Sequence, residues 1–214
     1  TAASVYGALM AAVKFAMVLG KSEPARTYQA IAQRLQSAIG STLFDAERGY
    51  FAKHVILNED GELQYDWTVD ASSLHGLLTF GVYDVDDERI VQMAEAIDNK
   101  LMVKGESKGY VRYEGDAYYR MQDADSPNPW VITTLWIARY RILKATKLAE
   151  LKQALELLEW TVSHATESGV LAEQMHPRTR AHLSTAPLVW SHAEYVLTVR
   201  AYLEKAEALK TKGK

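Results

Sequence analysis

Cysteine is absent from all 214 residues, which excludes disulfides, thiolate catalysis and zinc held by thiolates while leaving the compartment open. Missing too is any run of about 18 apolar residues, so no membrane-spanning helix is expected. No secretory signal pattern opens the chain, and with the lack of Cys this leans toward the cytoplasm. Basic excess is wanting: a net charge of -3 and a pI near 6.1 argue against nucleic acid and anionic membranes as partners. The six His show no metal-binding spacing, His176 and His182 sharing a loop and nothing more, so no metal is expected. Gly-rich phosphate loops and the GxSxG elbow are absent as well, and no cofactor is expected.

What is present is an ordinary globular composition, 48% hydrophobic, in a chain long enough for one sizeable core. The chain opens on Thr and enters at once on a helical pattern, as a fragment or a processed product would. Residues 2–19 are apolar or small at nearly every position, with Lys14 the lone charge, which predicts a helix buried on most sides. Ser22, with Pro24 just inside, predicts the cap of a second helix reaching Ile39 and stopped by Gly40.

Residues 43–65 change character, and Asn58-Glu59-Asp60-Gly61 between short apolar runs predicts one small β-hairpin. A helix over 70–80 follows, and another starts at the acidic Asp86-Asp87-Glu88 and ends near Met102. The loop over 105–128 is too long to be idle in a compact domain and is expected to line a site. Three more helices are predicted, from Pro129 to Leu143, from Lys147 to His164 and from Pro187 to Leu209. Roughly seven helices joined by alternating short turns and long loops, with little strand, indicate an all-α toroid or solenoid of stacked antiparallel hairpins.

Two stretches carry chemistry. Residues 109–130, GYVRYEGDAYYRMQDADSPNPW, set Tyr110, Tyr113, Tyr118, Tyr119 and Trp130 among Arg112, Asp116, Arg120, Gln122 and Asp123. A sugar offers apolar C–H faces rimmed by hydroxyls, so its site needs flat aromatics beside planar hydrogen-bonding groups, and this stretch supplies both. Residues 169–195, GVLAEQMHPRTRAHLSTAPLVWSHAEY, hold Glu173 among apolar Leu171, Ala172 and Met175, a setting that suits a carboxylate acting as proton acceptor.

These stretches resemble blocks of glycoside hydrolase family 15, the glucoamylases and their relatives, and they occur in the family's order. LAEQ, His176-Pro177, Thr179 and LSTAPLVWSHAEY resemble its C-terminal catalytic segment, while Arg112-Tyr113, Asp116, Tyr118-Tyr119 and Asn128-Pro129-Trp130 resemble its RY...D.YY...NPW block. Val69-Asp70-Ala71-Ser72 resembles a third, weaker block, in which Asp70 either faces the pocket or caps its helix. The resemblance implies an inverting glycosidase releasing glucose from α-glucans, with trehalase, a dextran-type glucanase and a non-catalytic carbohydrate-binding or regulatory module as alternatives. It implies Glu173 as general base and Arg112, Tyr113, Asp116, Tyr118, Trp130, Gln174 and Trp190 as substrate-binding residues.

Two departures accompany it. Arg180-Ala181-His182 stands where the family commonly has a Gly-containing turn. The family's acid lies in a WEE-type motif upstream of the helix that residues 2–19 resemble, and no such motif is present; Glu159-Trp160 is mid-helix and reversed. The resemblance therefore implies a single domain over 1–214 that is the second half of an (α/α)6 barrel, with the missing half or self-association as partner and an α-glucan as substrate. At Trp190-Ser191-His192-Ala193-Glu194, Ser191 and Glu194 have capping-box spacing; by the resemblance Trp190 and Ser191 lie near the base and His192 orients a neighbour.

Overall fold

The computed structural model describes residues 1–104, 108–122, 124 and 126–212. Asp123 of the site stretch and residues 105–107 of the long loop lie outside the described residues. Seven α-helices and three two-stranded antiparallel pairs are found among the rest. No helix among them is long and apolar enough to cross a membrane. The chain divides into two compact units, Thr1–Thr68 with Ser73–Met93, and Val69–Ser72 with Ala94–Lys214.

In the first unit α1 (Ala2–Val18) packs against α2 (Ser22–Ala38). The expectation that α1 is buried on most sides fails: only Ala16 is buried, and Phe15, Met17 and Val18 are 66%, 62% and 84% exposed. Its neighbours, α2 and the Gly76 and Phe80 region, cover only part of its surface, whereas this sequence is apolar all round. Ser22 is not the cap of α2 but its first residue, with Lys21 at the cap position and no side-chain cap bond. Pro24 permits this because any first-turn position tolerates a residue without an N–H.

Gly40 does not stop the helix either, since a π-helical turn, Ile39–Leu43, continues it. The glycine answers to a close approach instead: a Cβ there would stand 2.5 Å from Arg89 Nη1 and 2.8 Å from the Tyr83 hydroxyl. That hydroxyl donates to the Gln36 carbonyl at 2.9 Å, and the Arg89 guanidinium lies 3.9 Å over the Tyr83 ring while pairing with Asp87 at 2.6 Å.

The expected hairpin forms from β3 (His54–Leu57) and β4 (Leu63–Asp66), paired His54 to Asp66 through Leu57 to Leu63. Gly61 at φ 81° turns it, and Asn58 Oδ1 accepts the Glu62 N–H at 2.7 Å. One hairpin was too few: β1 (Phe44–Asp45) pairs with β2 (Tyr50–Phe51), and a third pair lies in the second unit. Strands of two residues are too short to show an alternation in sequence.

Helix α3 spans Ala71–Thr79 and α4 spans Glu88–Leu101. Each is started by a local aspartate: Asp70 Oδ1 accepts from Ser72 N–H at 2.8 Å, and Asp87 Oδ1 from Arg89 N–H at 3.0 Å. Asp70 therefore caps α3.

The second unit is built on α5 (Val131–Lys144), packed between α6 (Lys152–Ser163) and α7 (Val189–Lys212). A 3-10 turn, Leu148–Leu151, leads into α6. The expected helix starts at Pro129, Lys147 and Pro187 are each displaced inward, to Val131, Lys152 and Val189. Along α5, Val131, Ile132, Leu135, Ile137 and Ala138 are all buried. Val131 and Leu135 join Leu158, Trp160, Leu171, Ala172 and Met175 in one cluster, each large side chain contributing about 1.5–3 kcal/mol on full burial. That cluster fastens the loop carrying Glu173 to the helical core on both sides of the carboxylate.

Candidate active site

A short ladder of backbone bridges gathers the two chemistry-bearing stretches. Met102 pairs with Tyr110, Tyr110 with Trp130, Trp130 with Gln174, and β5 (Gln174–Met175) with β6 (His182–Leu183). Its rungs include Trp130 N–H to the Tyr110 carbonyl at 2.9 Å, Val131 N–H to the Glu173 carbonyl at 3.1 Å and Met175 N–H to the Pro129 carbonyl at 3.0 Å. Gly109 lets the ladder lie close to the core, since a Cβ there would stand 2.5 Å from the Trp160 ring. Two buried threonines hold it down: Thr133 Oγ1 donates to the Tyr110 carbonyl at 2.6 Å, and Thr134 Oγ1 accepts the Tyr110 N–H at 2.9 Å. The Tyr110 hydroxyl, donating to Asp98 at 2.5 Å and accepting from Arg141 at 2.7 Å, is pushed well above its ordinary pKa, chiefly by burial.

Glu173 is half-buried on the rung beside Trp130. Ser184 Oγ donates to its Oε2, and Gln174 Nε2 approaches the same oxygen at 3.5 Å. Among the described residues Oε1 has no hydrogen-bond donor, so one oxygen is held by the protein and the other is left to a visitor. Gln174 is fully buried, and its Oε1 accepts from Asn128 Nδ2 at 2.8 Å. Its place is behind the carboxylate.

Arg112 and Asp116 form the second centre. Asp116 is 2% exposed and accepts four hydrogen bonds: Arg112 Nε at 3.1 Å, Arg112 Nη2 at 2.9 Å, Trp130 Nε1 at 3.1 Å and Tyr118 N–H at 3.1 Å. It is spent on protein donors and sets the plane of the guanidinium and the indole together. Burial opposes the charge on Arg112, but the bonds and charge of Asp116 outweigh it and hold its pKa above the ordinary value. The guanidinium lies 4.4 Å over Trp130 and 4.8 Å over Tyr113, and a third of the side chain stays open to solvent. Tyr113 pairs with Asp70 across an isolated bridge, and Tyr118 stands half-exposed 6.0 Å from Trp130. Trp130 thus touches the Arg112 group with its ring and bridges Gln174, the residue next to Glu173, with its backbone.

Trp190 belongs to another cluster, its half-exposed ring 5.8 Å from Trp136 and its Nε1 donating to Glu194 at 3.3 Å. Glu194 also pairs with Arg139 at 3.4 Å, a structural role. The capping-box reading of Ser191 and Glu194 is corrected: α7 starts two residues earlier, and Ser191 Oγ reaches back to the Ala172 carbonyl at 2.8 Å. His192 Nε2 accepts the Leu171 N–H at 3.1 Å, so α7 clamps the loop just ahead of Glu173 at two points.

The departure at Arg180-Ala181-His182 has a local resolution. His176 Nδ1 accepts from the N–H groups of Arg178 and Thr179, the His176 N–H donates to the Ala181 carbonyl, and Arg180 takes φ 63°, the left-handed conformation a glycine would adopt freely. Arg180→Gly is therefore expected to raise stability by up to about 1 kcal/mol in urea unfolding. A loss of that size instead would show that the arginine side chain, and not the turn, matters there.

Sequence reading missed Ser184 and Asn128. Both stand inside quoted motifs, but their partners lie 11 and 46 residues away.

The described structure resembles solved all-α enzymes over nearly its whole length. It matches a bacterial glucoamylase complexed with acarbose at a TM-score of 0.79 and 23% identity, over 95% of this chain and 33% of that one. It matches the glucoamylase of Saccharomycopsis fibuligera at 0.68 and 17%, over 95% and 55%. The fold is part of an (α/α)6 barrel. The sequence model of glycosyl hydrolases family 15 matches residues 1–200, and the chain belongs to that family. Relatives include an uncharacterized glycosyl hydrolase of Methanocaldococcus jannaschii, 27% identical over 93% of this chain and 31% of its own length. A glucoamylase of a Clostridium species is 29% identical over 70% and 21%, and a trehalase of Thermoplasma volcanium is 24% identical over 94% and 29%. The chain spans a third or less of the length of these curated relatives.

Proposed function

We propose that this chain carries the general base and one wall of the sugar pocket of an inverting, exo-acting glycosidase that releases glucose from α-glucans. The observation that carries the reading is the Glu173 carboxylate, with Oε2 held by Ser184 and Gln174 and Oε1 free of donors among the described residues, next to the Trp130–Gln174 rung. A base in inverting hydrolysis must be an ionised carboxylate with one oxygen available to a water. Arg112, fixed by Asp116 but open on one side, suits sugar hydroxyls, and the Tyr113, Tyr118 and Trp130 rings suit C–H faces.

The acid is supplied by a part of the complete protein outside these residues, since inverting chemistry needs a second carboxyl roughly 6.5–9.5 Å from the base. The same part, or a second copy, covers the bare apolar face of α1. By itself the chain is expected to release no glucose.

The test is product analysis on the complete protein given maltotetraose, maltose, isomaltose and trehalose, with the first anomer read by NMR. Initial β-glucose from an α-glucan is the expected result. Initial α-glucose would overturn the inverting assignment. Turnover of trehalose alone would move the reading to the activity named for the Thermoplasma relative.

A further inference from the structure

Gln174 has two ways to sit behind Glu173, and they are electrostatic opposites. With Nε2 toward the carboxylate it donates a hydrogen bond to the ionised form; turned by a half-circle, its carbonyl would face the carboxylate and oppose that charge. What selects the first is 46 residues away in sequence. Asn128 is buried, and its Nδ2 donates both to Gln174 Oε1 at 2.8 Å and to the Tyr119 carbonyl at 2.9 Å. A backbone carbonyl only accepts, so the Tyr119 contact fixes Asn128 with its NH2 inward. That NH2 in turn requires an acceptor from Gln174, which leaves Nε2 as the end of the Gln174 amide that faces Glu173 Oε2, beside Ser184 Oγ.

The arrangement has a cost. Asn128 Oδ1 is buried with no hydrogen-bond partner among the described residues, a loss of about 1–3 kcal/mol for an unsatisfied group. The opposite orientation of Asn128 would set Oδ1 against the Tyr119 carbonyl, which can only accept, and would turn the Gln174 carbonyl toward Glu173, so the orphaned oxygen is the lesser penalty.

We propose that Asn128 is a positioning residue for the reaction, acting through Gln174 to keep a hydrogen-bond donor on the Glu173 carboxylate. The inference rests on Glu173 being the base. Asn128 touches neither substrate nor reacting atoms; it sets the direction of an amide dipole, and Tyr119 links that setting to the aromatic wall.

The test is the pH dependence of kcat in the complete protein. Asn128→Asp replaces the inward NH2 by an acceptor, so Gln174 turns its NH2 toward position 128 and its carbonyl toward Glu173. The expected result is a fall in kcat of roughly ten- to a hundredfold, KM within about threefold, and an acid limb moved up by about half a pH unit or more, as an ionised group does on losing a donor. Asn128→Ala deletes both donors without adding charge; it is expected to move the limb the same way by less, and serves alone if the aspartate variant does not fold. His176, Arg178, Arg180 and His182 on the hairpin, His192 on α7, and Arg112 and Asp116 behind Trp130 are intact in both variants, so they do not account for the shift.

A folded Asn128 variant with a wild-type acid limb overturns the proposal, even if its melting temperature falls, because a purely structural asparagine would lower stability alone. If Glu173→Gln retains full turnover, it is the assignment of the base that fails, a distinguishable outcome.

Discussion

Glu173→Gln in the complete protein is expected to lower kcat by about two to four decades while leaving KM within a few fold. The geometry makes this substitution unusually clean. Ser184 Oγ and Gln174 Nε2 both approach Oε2, so a glutamine carbonyl placed there keeps both contacts. The new NH2 falls at the position of Oε1, where among the described residues no donor would clash with it. Fold, loop position and pocket shape are therefore preserved, and what disappears is the capacity to take a proton from water. An equal loss of substrate affinity would mark Glu173 as a binding or structural residue, and unchanged turnover would remove the base from this chain.

The same contacts explain how much of the molecule was legible in the sequence. Features governed by nearest neighbours read better: the Asn58-to-Gly61 turn, the acidic start of α4 and the helical periodicities depend on residues a few positions apart, although the Ser22 cap did not form. Features set by distant partners read worse. Gly40 looks like a helix stop, yet it is there for Arg89 and Tyr83. Ser191 looks like a cap, yet its hydroxyl is taken by the Ala172 carbonyl. At the site, Arg112 and Trp130 in one stretch and Glu173 and Gln174 in the other stand out because motif and chemistry coincide there. Their assembly does not, since the bridges joining Tyr110, Trp130 and Gln174 are single rungs with no alternation to see. The resemblance implies Gln174 and Asp116 as substrate ligands; in the structure both side chains are buried and bonded to protein groups. Composition marks a carboxylate as chemically capable; only the fold shows which donors already occupy it.

Asp116 is where that distinction has its largest consequence. Asp116→Ala removes four hydrogen bonds at once, leaving Trp130 Nε1 and the Tyr118 N–H buried or half-buried without acceptors. Arg112 is less stranded, because a third of its side chain already meets solvent. The expected loss is about 3 kcal/mol of unfolding free energy, the low end for breaking a buried pair. Binding suffers with it. A guanidinium released from its bidentate partner explores many rotamers, and the indole that stacks beneath it loses its anchor, so kcat/KM is expected to fall about a hundredfold, chiefly through KM. Asp116→Asn separates the two effects: an asparagine oxygen in place of Oδ2 keeps the bonds from Arg112 Nε and Trp130 Nε1, while the NH2 in place of Oδ1 loses those from Arg112 Nη2 and the Tyr118 N–H, so intermediate stability with most of the KM defect is the expected result. If Asp116→Ala instead keeps full stability and loses only KM, the carboxylate contacts substrate directly, and the four donors around it in this structure give way when sugar binds.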